Sequence, residues 1–189
     1  MSIQFTTVST PLELQQILDL QAQNHASVLS ASAMADQGFV TVRHRPDVLA
    51  RMNASNPSVI AKDGDQLVGY ALMMPRSFAA DVPELAPMFE MLDGLAWRGQ
   101  SLRDAQRWFV MGQICVAEIY RGKDVFEGMY MKMRETCAKD YDFVITEVAE
   151  RNTRSMRAHE RIGFQTLQTH TDQVSGAVWR TIVWDWLQP

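Results

Sequence analysis

Cysteine, long apolar runs and an excess of basic charge are all scarce in this sequence. Its two cysteines, Cys115 and Cys137, form no C-x-x-C or Cys/His pattern, which excludes a disulfide-stapled scaffold and gives a metal site little support. We expect both to be reduced thiols in the core. No apolar run approaches the roughly 20 residues that cross a bilayer, and the N-terminus lacks a cationic segment followed by an apolar one. We therefore expect a cytoplasmic protein with no membrane partner.

The charge balance is mildly acidic. The chain has 18 Lys and Arg residues against 22 Asp and Glu residues, a net charge of −4, which does not favour nucleic acid as a partner. Apolar residues make up 47% of the 189 residues, and a chain of this length buries roughly 70% of the surface that its unfolded form exposes. The sequence therefore predicts one soluble domain over residues 1–189.

Start and turn signals define several elements. Thr10, Pro11 and Glu13 form a capping box with proline at the first helical position, which predicts a helix. The Asp63-Gly64 pair lies between two apolar segments and supplies the positive φ of a tight hairpin turn. The predicted elements in chain order are a strand near 3–8, a helix over 11–25, a helical turn near 47–52, strands over 58–62 and 66–74, a helix near 84–93, a strand over 108–116, a helix over 124–139, a strand over 141–148, a helix from 152 or 153 to 163, and strands over 164–170 and 177–187. This order fits an α/β fold in which a mixed sheet carries helices on its faces.

The segment from Pro75 to Arg107 is too long for a plain loop. Connections longer than about 12 to 15 residues in a compact domain usually have helical content or a function. We interpret residues 75–107 as an insert before the next core strand and expect it to form a substrate-side flap. A cover for the sheet edge and a contact in a homodimer are the alternatives.

The turn at residues 121–126, Arg121-Gly122-Lys123-Asp124-Val125-Phe126, lies between a buried strand and the start of an amphipathic helix. Free backbone N–H groups and the positive end of a helix meet at such a turn, and this arrangement suits a phosphate group. An ordinary surface turn is the alternative. About 26 residues after the turn, a second motif begins at Asn152 and ends at Gly163-Phe164.

These two motifs, at this separation, resemble the GNAT (GCN-five-related) N-acetyltransferase superfamily. Its acyl-CoA pyrophosphate loop reads (Q/R)-x-x-G-x-(G/A) after a strand ending in Val, and its later motif reads N-x-x-(A/S)-x-x-x-Y-x-x-x-G-F. The resemblance implies a mostly antiparallel sheet of about seven strands with helices on both faces. It also implies acetyl-CoA as co-substrate and transfer of its acetyl group to a primary amine of a small molecule or peptide. Three positions depart from the pattern: Asp124 replaces the loop glycine, Phe126 replaces a small residue, and His159 replaces the tyrosine.

The resemblance implies specific roles for site residues. An amine with a pKa near 8 to 10 is protonated at neutral pH and needs a base; Glu147 is the candidate, with Glu118 in reserve. His159 is expected near the leaving thiolate, where an imidazolium donates a proton more readily than a phenol does, although it could instead only bond the sulfur or stabilise the helix end. The expected cofactor-binding residues are Ile114, Cys115, Val116, Arg121, Gly122, Lys123, Asp124, Val125, Phe126, Asn152 and Ser155.

The acceptor side is less defined. For the insert, the sequence predicts an apolar wall from Trp97, Phe89 and Met88 and attraction of a cationic amine by Asp81, Glu84, Glu90 and Asp93. Because of the three departures, a non-catalytic acyl-CoA-binding or regulatory module on the same fold is the alternative function. A scaffold that binds no CoA is a third hypothesis.

Overall fold

A computed structural model describes residues 2–30, 32–34, 39–173 and 175–187. The strands and helices in chain order are β1 (Ile3–Thr7), α1 (Pro11–Asn24), α2 (Pro46–Ser55), β2 (Val59–Asp63), β3 (Gln66–Met74), α3 (Ala86–Asp93), β4 (Ala96–Trp97), β5 (Gln100–Ser101), β6 (Trp108–Val116), α4 (Val125–Cys137), β7 (Phe143–Ala149), α5 (Thr153–Ile162), β8 (Gln165–Thr171) and β9 (Val178–Asp185). Short 3-10 turns span Arg76–Asp81, Pro83–Leu85 and Glu118–Tyr120.

The main sheet has seven strands in the order β1-β2-β3-β6-β7-β9-β8. Its pairs are antiparallel except for β6 and β7, which run parallel. Side chains alternate between the two faces of the sheet: Tyr70 packs in a cluster with Ile17 of α1, whereas Ala71 packs in a cluster with Met129 of α4. The predicted mixed, mostly antiparallel sheet with helices on both faces is confirmed.

Local sequence signals produce the elements that were expected from them. The Thr10 side chain accepts a hydrogen bond from the Glu13 N–H at 3.2 Å, and Glu13 Oε2 accepts one from the Ser9 N–H at 2.8 Å. Burial alone would raise the pKa of Glu13, but the Ser9 N–H, the Lys62 ammonium and the Thr10 N–H lower it to about 2. The hairpin turn contains Gly64 at φ +61°. Capping box, helix and hairpin are therefore as predicted.

The strands β6 and β7 separate after a short paired stretch. They pair only from Trp108 with Phe143 to Val110 with Ile145. Beyond that point β6 continues on β3 as far as Val116, and β7 continues on β9 as far as Ala149. At the fork, the Thr146 hydroxyl donates to the Met111 carbonyl at 2.8 Å. The divergence opens a cleft between the C-terminal halves of two central strands.

Both cysteines are free and buried, as expected. Burial raises the pKa of each thiol to about 11, which keeps both protonated and unreactive at neutral pH. In the described part of the chain, no helix combines the length and the apolarity that crossing a membrane requires. A single domain over the whole chain and a cytoplasmic location stay predictions.

Candidate active site

Two cavities adjoin at the fork between β6 and β7. The first, of about 680 Å³, lies between the end of β6, the turn before α4 and the first turns of α5. The second, of about 600 Å³, lies between the fork, α3 and the ends of β8 and β9. Residues that line both are Phe39, Val40, Ile114, Asn152 and Ser155. The two spaces therefore meet in the cleft that the strands open, and we call them the phosphate-side cavity and the fork cavity.

The start of α4 presents free backbone donors to the phosphate-side cavity. The first hydrogen bond of this helix runs from the Gly128 N–H to the Asp124 carbonyl at 2.8 Å, so the N–H groups of Val125, Phe126 and Glu127 have no partner within the helix. All three residues line the cavity. With the positive end of the helix dipole behind them, they form an anion site.

The turn before α4 uses two left-handed backbone conformations, Gly122 at φ +73° and Asp124 at φ +59°. Asp124 stands at the N-cap position of α4, but its side chain makes no capping hydrogen bond. Capping side chains usually come from an extended backbone, from which the oxygen reaches the second or third N–H of the helix; the left-handed backbone of Asp124 differs from that geometry. Asp124 nevertheless lines the phosphate-side cavity, so a carboxylate belongs to its wall.

Arg121 brings a partly buried cation to the same cavity. Its Nε donates to the Val116 carbonyl at 2.9 Å and its Nη2 donates to Asn24 Oδ1 at 2.5 Å. Burial lowers the pKa of this guanidinium. Lys123 lies outside the set of cavity-lining residues, with its Nζ 5.6 Å from the centre of the Tyr120 ring. Three further cations of the cavity wall come from α5, namely Arg154, Arg157 and Arg161.

One edge of β6 faces the cleft. The Ala117 N–H donates to the Val68 carbonyl on the β3 side at 2.8 Å. Since backbone groups alternate along a strand, those of Ile114 and Val116 point the opposite way. Beyond Val110, no described strand pairs with this edge. The Cys115 side chain packs instead in the core with Tyr70, and by the same alternation its backbone groups point to β3, where Tyr70 is its partner.

His159 is enclosed, with 1% of its surface exposed. Nδ1 lies 2.8 Å from the Ser155 carbonyl and Nε2 lies 2.7 Å from the Tyr130 hydroxyl. Because a carbonyl only accepts, Nδ1 carries the proton and Nε2 accepts from Tyr130. Burial lowers the pKa of His159 to about 4, so the ring is neutral at pH 7. This corrects the expected imidazolium, both as an acid and as a cation at the helix end.

Glu147 projects from β7 into the fork cavity. The Thr181 hydroxyl of β9 donates to Glu147 Oε1 at 2.8 Å, and His170 Nδ1 of β8 lies 3.6 Å from the same oxygen. Burial raises the pKa of Glu147, and this effect is opposed by the Thr181 hydrogen bond and the charge of His170. Glu118 is exposed and lines neither cavity.

Asn152 caps α5 and lies where the cavities meet. Its side chain accepts a hydrogen bond from the Ser155 N–H at 3.3 Å, and 8% of its surface is exposed. Asn152 is therefore the N-cap of α5, and contact with a cofactor stays a prediction for both Asn152 and Ser155.

A comparison of the sequence with models of protein families identifies the family of this chain. The profile of the Acetyltransferase (GNAT) family matches residues 16–164. The chain belongs to the GNAT acetyltransferase family. No significant match was found among curated proteins. The expected family and its acetyltransferase activity class are confirmed.

Solved GNAT-like structures share the fold at low sequence identity. Ard1 from Thermoplasma volcanium superposes with a TM-score of 0.67 and 12% identity, over 100% of both chains. The yncA protein of Salmonella typhimurium, solved with its cofactor acetyl-CoA, gives 0.64 and 12%, over 100% of this chain and 96% of that one. The ribosomal-protein-S18-alanine N-acetyltransferase from Escherichia coli gives 0.63 and 8%, over 97% and 94%.

The insert of this GNAT chain contributes less to the cavity than expected. Of the predicted apolar wall, Met88 lines the fork cavity, Phe89 is buried in the core, and the Trp97 Nε1 donates to Asp185 at 2.8 Å. The expectation for Trp97 and Phe89 is therefore wrong, because both are used by the packing of the insert against the rest of the chain.

Three acidic residues of the insert, Asp81, Glu90 and Asp93, line neither cavity. Asp81 pairs with Arg51, and Asp93 pairs with Arg76 and Arg103. Glu90 is exposed, and the Glu84 side chain lies outside the described part. These positions do not allow the carboxylates of Asp81, Glu90 and Asp93 to attract a cationic amine into either cavity.

The phosphate-side cavity fits a CoA-type ligand by its donors. Unpaired N–H groups at a helix start, the guanidinium of Arg121 and an open strand edge are what a diphosphate and an amide-containing arm require. Phe126 lines this cavity, and its ring lies edge-on 5.0 Å from the His159 ring. Among the residues described here, no cluster of three or more His, Cys, Asp and Glu side chains is placed to hold a metal ion.

Proposed function

We propose that this protein transfers an acetyl group from acetyl-CoA to a primary amine, with Glu147 as the general base. The observation that carries the proposal is the position of Glu147: a partly buried carboxylate faces a cavity that meets an anion-binding helix start at the fork. When bound, acetyl-CoA supplies an acyl group activated as a thioester.

The proposed cofactor contacts divide by chemical role. The N–H groups of Val125 and Phe126, with Gly122 and Arg121, hold the diphosphate, and Ile114 and Val116 pair with the amide arm through their backbone. Cys115 lies between them in the strand, with its own backbone groups on β3. Lys123 contributes charge from outside the cavity. Asn152 and Ser155 contact the arm where the cavities meet.

Glu147 accepts a proton from the amine as the new bond between nitrogen and the acetyl carbon forms. The bond between that carbon and the thioester sulfur breaks, and CoA is released as its thiolate. A carboxyl group whose pKa is raised by burial is a stronger base than an exposed one, and a base is most effective when its pKa approaches the working pH. The Val116 N–H, directed into the cleft, donates to the oxygen on which negative charge develops.

We assign His159 a positioning role in place of proton donation. Both of its nitrogens are engaged, so it has no proton to give without breaking a buried hydrogen bond. Its Nδ1 holds the Ser155 carbonyl at 2.8 Å, and Ser155 lines both cavities. The ring thereby fixes the first turn of α5 against α4.

The test is a thiol-release assay with acetyl-CoA and a panel of amines, run on the protein and on Glu147→Gln. We expect kcat to fall by about 100-fold or more in the variant, as on loss of a general base, while CoA binding measured by calorimetry is unchanged. Glu118→Gln is the matched control and should keep full activity. Unchanged turnover in Glu147→Gln would contradict the proposed base.

A non-catalytic CoA-binding module is the second candidate, favoured by Asp124 and Phe126 in the phosphate-side cavity. It predicts CoA binding with no thiol release for any amine, and no effect of Glu147→Gln. If CoA produces no thermal shift at all, both candidates fail.

A further inference from the structure

The fork cavity is built for an apolar body. Its wall includes Leu85, Met88 and Met91 from the insert and Val110 and Met111 from β6. Methionine side chains are flexible and adapt to differently shaped ligands. A cavity of about 600 Å³ is within the range of small-molecule sites, so it admits a ring or a branched alkyl group beside the amine.

The described lining of the same cavity presents carboxylates, and no permanent cation, to an anionic ligand. None of its described lining residues is Lys or Arg, whereas Glu147 and Asp172 both line it. The positions outside the described part contribute no Lys or Arg side chain either.

The neighbouring basic groups are occupied. Arg180 donates to Glu150 at 2.7 Å, and the Arg151 guanidinium stacks 5.0 Å from the centre of the Phe39 ring. His170 lines the cavity itself, and its Nδ1 faces the Glu147 carboxylate at 3.6 Å, so this carboxylate is already its partner.

We propose that the acceptor is a primary amine with an apolar body and no carboxylate or phosphate near the amine. This inference rests on the proposed function and specifies its substrate class. An anionic group next to the amine would be desolvated among methionines and would face the Glu147 carboxylate, which is unfavourable without a cation partner. Free α-amino acids are thereby poor acceptors, while amines with no neighbouring carboxylate are good ones.

The experiment compares matched pairs that differ by one carboxylate: 2-phenylethylamine against phenylalanine, and 3-methylbutylamine against leucine. With acetyl-CoA saturating and rates expressed per free-base amine, we expect kcat/KM to favour the simple amine by about 100-fold. Leucinamide distinguishes two possible sources of the acceptor amine, a peptide N-terminus and a free small amine. If it matches 3-methylbutylamine, peptide N-termini are included; if it is poor, the acceptor is a free small amine. Equal or better use of the amino acids overturns the inference.

Two lysine variants test the inference through the kcat/KM preference, and a binding measurement tests it without turnover. Met91→Lys should narrow the preference by about 10-fold through an added partner for the carboxylate, and Met91→Leu is the matched control. Thr41→Lys repeats the change at an exposed residue of the same wall, in case Met91→Lys misfolds. An unchanged preference in a folded lysine variant overturns the inference.

Thermal shifts are measured with CoA plus each amine. We expect stabilisation by 2-phenylethylamine and none by phenylalanine; the reverse would overturn the inference. No turnover with any amine defeats the proposed function, whereas turnover that prefers amino acids defeats only the substrate class.

Discussion

The Tyr130 hydroxyl lies 2.7 Å from Nε2 of His159, and both side chains are buried. This pair joins α4 to α5 under the ring of Phe126, which meets Tyr130 and His159 edge-on at 5.2 Å and 5.0 Å. A neutral histidine between two fixed partners is a structural support. Its loss of basicity has a consequence for stability that can be measured.

The free energy of unfolding should decrease as the pH is lowered, because of His159. The pKa of this ring is lowered from 6.5 to about 4 by burial, so the unfolded chain binds a proton that the folded chain resists. Above 6.5 the ring is neutral in both states and its contribution is intact. As the pH falls from 6.5 towards 4, the free energy of unfolding should decrease by up to about 3 kcal/mol. Urea unfolding at several pH values measures this.

His159→Gln is the comparison variant for that experiment. It should be less stable at pH 7, because the Tyr130 hydroxyl loses its partner, but its stability should change less between pH 6.5 and 4.5. The Glu13 contribution begins to decline only below 4.5, since its pKa is lowered from 4.5 to about 2. Parallel pH curves for the two proteins would contradict the buried neutral histidine.

The environment of Glu147 predicts a shift in the pH profile. The Thr181 hydroxyl donates to this carboxylate at 2.8 Å and opposes the rise in its pKa that burial causes. Thr181→Val removes the donor, so the pKa should rise further. Because the base must be ionised to accept a proton, the acid limb of kcat/KM should move to higher pH by about 0.5 to 1 unit.

Thr181→Ser retains a hydroxyl and should leave the acid limb in place. The His170 charge also lowers the pKa of Glu147, so His170→Asn should shift the limb in the same direction as Thr181→Val. An acid limb that stays fixed in both Thr181→Val and His170→Asn would show that another group governs the profile.

Local chemistry made much of the fold predictable. The side chains of Thr10 and Glu13 each accept a hydrogen bond from the backbone N–H of the other within one turn, and Gly64 supplies the positive φ of the hairpin turn. Neither feature depends on distant residues. The turn at 121–126 was recognisable for the same reason, since strand, glycine and helix start are contiguous. These predictions needed only a few neighbouring positions.

Contacts between distant positions account for what the sequence could not show. Thr181 lies beside Glu147 because β9 pairs antiparallel with β7 in a register that sets these two residues opposite each other, and no local pattern encodes that register. Trp97 reaches Asp185, which is far from it along the chain. His159 looked like a motif residue near a thiolate, and only the packing of Tyr130 and Phe126 around it made it neutral.

The charge at Asp124 should weaken CoA binding. Asp124 lines the phosphate-side cavity, near the free N–H groups at the start of α4. Asp124→Asn removes the charge and keeps a residue that tolerates a left-handed backbone. We expect CoA to bind about fivefold more tightly by calorimetry, which corresponds to about 1 kcal/mol, the interaction of two unit charges about 4 Å apart in water.

Two controls test whether the Asp124 charge causes the gain in CoA affinity: a change of ionic strength and the removal of a distant carboxylate. The gain in affinity should shrink at high ionic strength because the interaction is screened. Asp140→Asn, beyond the opposite end of α4, is the control and should not change affinity. Weaker CoA binding by Asp124→Asn would mean that the carboxylate supports the loop.

The contact between β1 and α4 predicts a steric intolerance at Gly128. A Cβ placed on Gly128 would lie 2.1 Å from Cζ of Phe5, so the ring or the helix must move. Gly128→Ala should lower the free energy of unfolding by about 1 to 3 kcal/mol through overpacking, although alanine favours helix by up to about 1 kcal/mol. Phe5→Leu shortens the obstructing side chain, so in that background the alanine should cost much less. Urea unfolding of both single variants and the double variant measures the coupling; additive effects would contradict the predicted clash.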